Sequence, residues 1–112
     1  MDIQEVKVMS TEDLMEGVVD HKVPGGKMLR VRVIVREEGG KRIIKELRIT
    51  GDFFLHPEST IEEIEGALTG ESRTEEEMLS VITEFLKGDV ILFGASAFDI
   101  ARVVFEAVSR AK

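Results

Sequence analysis

The strongest constraint on the fold comes from two stretches of alternating side chains joined by a short glycine-containing loop. Along residues 28–36, aliphatic side chains alternate with residues that are mostly arginine, which predicts a β-strand with one apolar face. Residues 42–50 predict a second strand. Its apolar face is expected to carry Ile43, Lys45, Leu47 and Ile49. The polar loop between the strands, residues 37–41, is typical of a β-hairpin.

A third strand is expected soon after the hairpin. Residues 51–52 break the second strand, and residues 53–55 form a short apolar run that ends before Pro57. Phe53 is expected to face the core and Phe54 the opposite side, because successive strand residues point to opposite faces. These features together predict a three-stranded antiparallel meander.

The beginning of the chain is the least regular part of the sequence. Apolar residues between positions 3 and 8 fit a short edge strand, and residues 10–13 look like a capping box that opens one helical turn. A tight turn at residues 23–26, with one proline and two glycines, leads into the first clear strand. We therefore divide the chain into an N-terminal extension, residues 1–20, and one domain, residues 21–112.

The rest of the chain predicts helices. Residues 59–70 carry two overlapping capping-box patterns followed by apolar residues at helical spacing. A second helix begins after Thr74 with an acidic first turn, and its apolar stripe is expected to face the sheet. Residues 90–94 predict a short apolar connector, and Ser96 precedes a last helix that runs through Val108. The predicted fold is α+β, with a three-stranded antiparallel sheet packed on two or three helices.

Charge and composition exclude several classes of function. The formal net charge of −7 opposes binding to nucleic acid, anionic lipid and free nucleotide, because these ligands are themselves negative. The chain has no cysteine, which removes thiolate metal sites, iron-sulfur ligation and cysteine nucleophiles. No apolar stretch is long enough to span a bilayer, and the N-terminus lacks a basic signal-peptide start. We therefore expect a cytoplasmic protein with no membrane partner.

Catalytic and metal-binding motifs are lacking in the sequence. His21 and His56 do not have the spacing of a metal site. Residues 25–27 fail the phosphate-loop pattern, which would need glycine at His21 and a hydroxyl residue at Met28. No catalytic residue is therefore assigned. Glycines, a lysine and two phenylalanines do cluster at successive strand ends, in residues 25–27 and 51–54. A β-turn with two core phenylalanines is the simpler interpretation of the second segment.

These strand-end segments resemble a known family. Residues 22–27, the arginine-flanked strand, the glycine loop and residues 49–58 follow one another as they do in the small C-terminal domain of lipoate-protein ligases. The chain most resembles the form of that domain that occurs as a separate accessory protein. The resemblance continues through residues 64–70 and, more loosely, into the last helix. Its most specific part is the Gly-Asp-Phe-Phe element at residues 51–54.

The resemblance implies a function. Ligases of this kind activate lipoate with ATP to lipoyl-adenylate and transfer the acyl group to a lysine of a carrier domain. The glycine-rich segment and catalytic lysine of their large domain have no counterpart in this sequence. The chain would then be an accessory subunit, inactive alone and without a cofactor of its own, and ATP and lipoate would bind through the large catalytic subunit. A lipoyl carrier domain is a second candidate partner.

The family also implies a fold similar to the iron-sulfur scaffold proteins. Sulfur relay and cluster assembly do not follow from that similarity, because both need cysteine thiolates. An adaptor that binds a carrier protein without influencing adenylation remains the alternative function.

Residues expected to lie near the partner or its substrates come from the segments that carry the resemblance. They are Lys22, Gly25, Gly26, Lys27, Gly51, Asp52, Phe54 and His56. Lys27 is expected to reach the partner's active site or its adenylate-binding loop. A solvated lysine at the start of a strand is an equally good interpretation of that residue.

Overall fold

The computed structural model describes residues 14–25 and 27–112. The described residues form five strands and three helices, with the following bounds: β1 Leu14–Lys22, β2 Met28–Glu38, β3 Lys41–Gly51, β4 Phe54–His56, α1 Ser59–Leu68, α2 Glu75–Phe85, β5 Ile91–Phe93 and α3 Ala97–Arg110. Strands β1, β2 and β3 form an antiparallel sheet in that order, and β4 pairs with β5 in a separate antiparallel ribbon. The α+β class and the three-stranded antiparallel sheet are confirmed.

The central strand β2 has the predicted alternation. Leu29, Val31, Val33 and Val35 are fully buried, so the apolar face of β2 lies in the core. Strand β3 departs from its predicted alternation, because the pairing shifts from Ile34 opposite Glu46 to Val35 opposite Ile44. This bulge leaves Lys45 without a partner in β2 and moves the alternation by one residue. Buried in β3 are Ile44, Leu47 and Ile49. The prediction that Ile43 and Lys45 share the core face is therefore wrong.

The third strand of the sheet is β1, so the predicted meander through residues 53–55 is wrong. β1 pairs with β2 along its whole length, from Leu14 opposite Arg36 to Lys22 opposite Met28. Strand β4 instead pairs with β5, so the segment predicted as an apolar connector contains a strand. β4 lies beyond the end of the sheet and pairs with β5, a strand more than thirty residues later in the chain. The local sequence pattern does not show so distant a pairing.

Predictions for the first residues are only partly covered by the structure. The expected edge strand at residues 3–8 and the expected capping box at residues 10–13 lie outside the described residues. From Leu14 onward the chain is a strand. Residues 14–20 therefore belong to the same sheet as the rest, and the division of the chain at residue 20 stays a prediction.

The helices cover one face of the sheet. α3 packs on β1 and β2, and α1 packs on β3. The principal neighbours of α2 are α1 and α3, so the expectation that its stripe faces the sheet is wrong. Its buried residues Met78 and Ile82 join the common core from the helical side. No helix in residues 14–25 and 27–112 is long and apolar enough to cross a membrane.

All three helices of the described residues begin where predicted, but only two of the three predicted side-chain caps are confirmed. Thr74 with Glu77 and Ser96 with Asp99 form complete capping boxes before α2 and α3. α1 has no side-chain cap. Its first amide groups are already satisfied, because Thr60 N donates to Pro57 O at 3.0 Å and Ile61 N donates to Glu58 O at 3.2 Å. The tight turn after β4 thus replaces the predicted caps.

Candidate functional site

The predicted site segments meet at one end of the long sheet. β1 ends at Lys22, opposite Met28 at the start of β2, and β3 ends at Gly51, opposite Leu29. In an antiparallel sheet, the end of one strand lies beside the start of the next. The turn with Gly25 and the segment from Gly51 to His56 therefore share this end. Gly26 lies outside the described residues.

Gly51 lets the chain leave the sheet closely packed against β2. A Cβ atom at Gly51 would lie 2.2 Å from Met28 O, and its φ of 154° favours glycine. The next amide, Asp52 N, donates to the same carbonyl oxygen at 2.9 Å. Gly51 and Asp52 thus have a structural role, which is to fix the direction in which the chain enters β4.

The ribbon of β4 and β5 has one inward and one outward face. Leu55 and Leu92 are paired, and both pack inward, Leu55 being buried. The outward side chains are Phe54 opposite Phe93 and His56 opposite Ile91. We call these four side chains the ribbon face.

The ribbon face is largely apolar and open to solvent. Phe54, Ile91 and Phe93 are 54%, 56% and 66% exposed. The rings of Phe54 and His56 stack, with centroids 6.4 Å apart and planes 7° from parallel. The prediction that Phe54 points outward is confirmed, and Phe53 is half-buried against the core.

A shallow depression adjoins the ribbon face at Phe93. It has a volume of about 350 Å³ and lies between the turn at residues 23–25, Lys27, residues 93–96 and Asp99. We call it the Lys27 depression. The aliphatic stem of Lys27 crosses Gly94, where a Cβ atom would lie only 3.1 Å from Lys27 Cγ. The structure therefore brings Gly25 and Lys27 to the same surface as Phe54 and His56.

Most charges on the outer face of the long sheet are paired within the sheet. Arg30 Nε donates to Asp20 Oδ1 at 2.6 Å, and Arg32 Nε donates to Glu16 Oε2 at 2.5 Å. The hydrogen bond from Arg30 lowers the pKa of the Asp20 carboxyl. Lys27 makes no ion pair within residues 14–25 and 27–112. Its ammonium group is thus available to a partner.

The geometry is that of a contact surface. It presents an apolar patch beside Lys27. No group of three or more His, Asp or Glu side chains in the described part of the chain is arranged to hold a metal ion. Asp99, which borders the Lys27 depression, is occupied as a helix cap, because its carboxylate accepts hydrogen bonds from Ser96 N and Ser96 Oγ, both at 2.9 Å.

Sequence reasoning missed half of the ribbon face. Ile91 and Phe93 lie in the segment predicted as a connector, and their exposure depends on pairing with β4. The available signal was the run of four apolar residues at 90–93 before Gly94, which could have suggested a short strand. Nothing in the local pattern shows which of those residues face solvent.

Comparison with known proteins connects the fold to lipoylation. No protein-family model matches the sequence, and no curated protein matches it. A solved structure does match, with 28% sequence identity and a TM-score of 0.65, covering 81% of this chain and 96% of that chain. It belongs to a structural study of an archaeal lipoylation system, a bi-partite lipoate protein ligase and its E2 lipoyl domain from Thermoplasma acidophilum. The chain is thus similar to a component of that system.

Proposed function

We propose that this chain is the small accessory subunit of a bipartite lipoate-protein ligase. It would be needed, with a large catalytic subunit, for ATP-dependent activation of lipoate to lipoyl-AMP and for protein lipoylation. The observation that carries the proposal is the match to the Thermoplasma system, which spans 96% of that chain at 28% identity. The Gly-Asp-Phe-Phe element of residues 51–54 supports it independently, because it resembles the small domain of these ligases.

The surface supports an accessory role. An accessory subunit needs a face that a partner can cover, and the ribbon face supplies exposed apolar side chains for that purpose. It also needs a way to influence the partner's chemistry, and Lys27, which makes no ion pair within residues 14–25 and 27–112, lies beside that face. By ordering the partner's loops around ATP and lipoate, such a subunit can lower the activation barrier without an active site of its own.

Substrates would bind through the large subunit. The formal net charge of −7 disfavours ATP on this chain alone. We therefore expect neither tight ATP binding nor lipoyl-adenylate formation by the isolated chain. We also propose that the complex is cytoplasmic. Isothermal calorimetry with ATP and the purified chain tests this expectation, and a micromolar dissociation constant would contradict it.

The decisive experiment is reconstitution. The chain is purified with and without the large subunit encoded in the same genome, and each sample is incubated with ATP, lipoate and the lipoyl carrier domain. We expect co-purification, and lipoylation of the carrier only when both chains are present. Mass spectrometry of every component identifies which protein gains the lipoyl group.

The alternative functions give different results in this assay. An adaptor would bind the carrier domain and leave the rate of adenylate formation unchanged. If the chain itself gained a lipoyl group, it would be the acceptor. Either result would overturn the accessory-subunit proposal.

A further inference from the structure

The ribbon face gathers three of the seven large hydrophobic side chains that are exposed in residues 14–25 and 27–112; the others are Leu14, Val18, Met28 and Phe98. Its two strands have only three residues each, and of their inward pair Leu55 is buried and Leu92 packs against the core. Fold stability therefore does not require Phe54, Ile91 and Phe93 to be large and apolar, since each is more than half exposed. A contiguous apolar patch of this kind is typical of a binding surface.

The area of the patch indicates what can cover it. Taking about 200 Å² for a fully exposed large side chain, the exposed fractions give the ribbon face roughly 400 Å². A stable interface of standard size buries about 800 Å² on each partner. The ribbon face can therefore be the centre of an interface, whose remainder must extend over neighbouring surface such as the Lys27 depression.

One end of the ribbon is acidic, and the other has charges of both signs. Glu58 follows His56 by two residues, and Asp89 precedes Ile91 by two residues, so both carboxylates flank the end where His56 and Ile91 pair. Both side chains are exposed and make no ion pair within the described ranges. At the other end, Lys27 lies beside Phe93, and the exposed Asp52 precedes Phe54 by two residues. A partner that docks here is oriented by these charges.

We propose that the ribbon face is the docking surface for the catalytic subunit, which presents an apolar surface with basic side chains opposite Glu58 and Asp89. This inference rests on the proposed function and deepens it by naming the surface and its polarity. With the acidic end held by the partner's cations, Lys27 at the other end lies beside the covered area. The acidic end would thus provide attachment and leave Lys27 at the edge of the interface.

Charge favours a different chain over a second copy. Two copies would bring two net charges of −7 together, which opposes association. Glu58 and Asp89 make no ion pair within the described ranges, so they favour a partner with basic side chains.

Binding to the purified large subunit tests the docking surface. Ile91→Ser and Phe93→Ser are compared with Val18→Ser, which removes a side chain of similar exposure, 48%, from the outer face of the long sheet. We expect each ribbon variant to raise the dissociation constant at least tenfold, as for central apolar contacts. Val18→Ser should bind like the wild type, and all three should keep the wild-type melting temperature.

A charge exchange tests the polarity without touching the apolar side chains. Asp89→Lys is compared with Glu37→Lys, which makes the same charge change at the hairpin end of the sheet. We expect Asp89→Lys to slow association about three- to tenfold at low salt, with the difference shrinking as salt rises. Glu37→Lys should have a much smaller effect, because it lies far from the docking surface.

The outcomes separate the surface from the function. If the wild-type chain supports lipoylation but the ribbon variants bind as tightly as wild type, the docking surface is wrong and the accessory role stands. If the wild-type chain neither binds nor stimulates the large subunit, the proposed function itself fails. If the isolated chain sediments as a dimer that Phe93→Ser converts to a monomer, a second copy occupies the ribbon face and the inference is overturned.

Discussion

Lys27 differs from Arg30 and Arg32 in having no carboxylate partner in the part of the chain that the structure describes. Arg30 and Arg32 form ion pairs with Asp20 and Glu16 on the neighbouring strand β1. The aliphatic stem of Lys27 lies over Gly94, while Lys27 as a whole is exposed to solvent. A cation fixed at its stem and free at its tip is suited to stabilise charge on a ligand supplied by a partner.

Replacing this lysine should therefore affect chemistry more than folding. We expect Lys27→Ala to keep the wild-type melting temperature, because exposed charges contribute only about 0 to 1 kcal/mol to stability. In the reconstituted complex, lipoyl-adenylate formation should fall by about tenfold or more, equivalent to roughly 1.4 kcal/mol of barrier. Lys41→Ala, at the hairpin end of the sheet, is the matched control. Unchanged adenylation at saturating Lys27→Ala would identify this residue as a solvated lysine.

Arg42 shows a residue role that sequence could not reveal. Its Nη1 atom donates to Val108 O at 2.7 Å, Ala111 O at 3.0 Å and Ser109 O at 3.1 Å. These carbonyl groups lie at the C-terminal end of α3, where the last turn of a helix leaves acceptors without partners. In the sequence Arg42 is only the beginning of a predicted strand, because the contact joins residues more than sixty positions apart.

Removing this guanidinium should destabilise the fold. We expect Arg42→Ala to lower the free energy of unfolding by about 1 to 3 kcal/mol, since hydrogen bonds from a charged donor to part-buried carbonyls are lost. Urea unfolding measures the change. Arg42→Lys should recover only part of it, because an ammonium group is more strongly hydrated than a guanidinium and costs more to bury against carbonyl groups. Arg102→Ala, which removes an exposed arginine from α3, is the control. An equal loss of unfolding free energy in this variant would refute the capping role of Arg42.

The elements that sequence predicted well are those whose pattern is local. The hairpin, the burial of alternate residues in β2 and the caps at Thr74 and Ser96 all follow from neighbouring residues. β3 was assigned correctly as a strand, but the bulge at Lys45 moved Ile44 into the core. A bulge depends on how two strands pair, so periodicity within one strand does not reveal it.

The missed elements depend on distant partners. β1 presents Gly17 and His21 at core-side positions between larger apolar residues, which weakens its alternation. Gly17 is needed there because α3 passes so close that a Cβ atom would lie 2.1 Å from Ala107 O. β4 pairs with a strand more than thirty residues later. The predicted site segments could be placed at one sheet end, but Ile91 and Phe93 could not.

The capping box of α2 gives a prediction at the level of one element. Thr74 N donates to Glu77 Oε1 at 2.8 Å, and hydrogen bonds from the Thr74 backbone and side chain lower the pKa of Glu77 below its usual 4.5. A lowered folded-state pKa stabilises the fold above about pH 4.5, and this stabilisation disappears as pH falls through the lowered value. At pH 7, the Glu77→Gln variant should therefore unfold at a lower urea concentration than the wild type. The difference between the two urea midpoints should be smaller near pH 3.

A matched control isolates the cap from general charge effects. Glu76→Gln removes a neighbouring charge from the same first turn. It leaves the hydrogen bond from Thr74 N to Glu77 in place. Its difference from wild type should be smaller at pH 7. If Glu77→Gln lost no stability at pH 7, or lost the same amount at every pH, the cap would not contribute through its ionised form.

At the scale of the whole molecule, the two ends of the long sheet have different roles. The hairpin end is closed by the turn between β2 and β3, and the other end carries Lys27 and the ribbon face. The helices cover the inner face of the sheet and share one continuous core with it. This arrangement can present a surface at one end of the sheet, as the proposed accessory role requires.

The contribution of β1 to that single core leads to a prediction about the domain boundary. Val19 is 5% exposed and Met15 packs against the core, so removing both withdraws about 3 to 6 kcal/mol of apolar burial. A domain of this size has only about 5 to 15 kcal/mol of total stability. A chain that starts at residue 21 should therefore be unfolded or marginal by circular dichroism. A chain that starts at residue 14 keeps every described contact and should unfold cooperatively in urea. Equal midpoints for both shortened chains would instead support a boundary at residue 20.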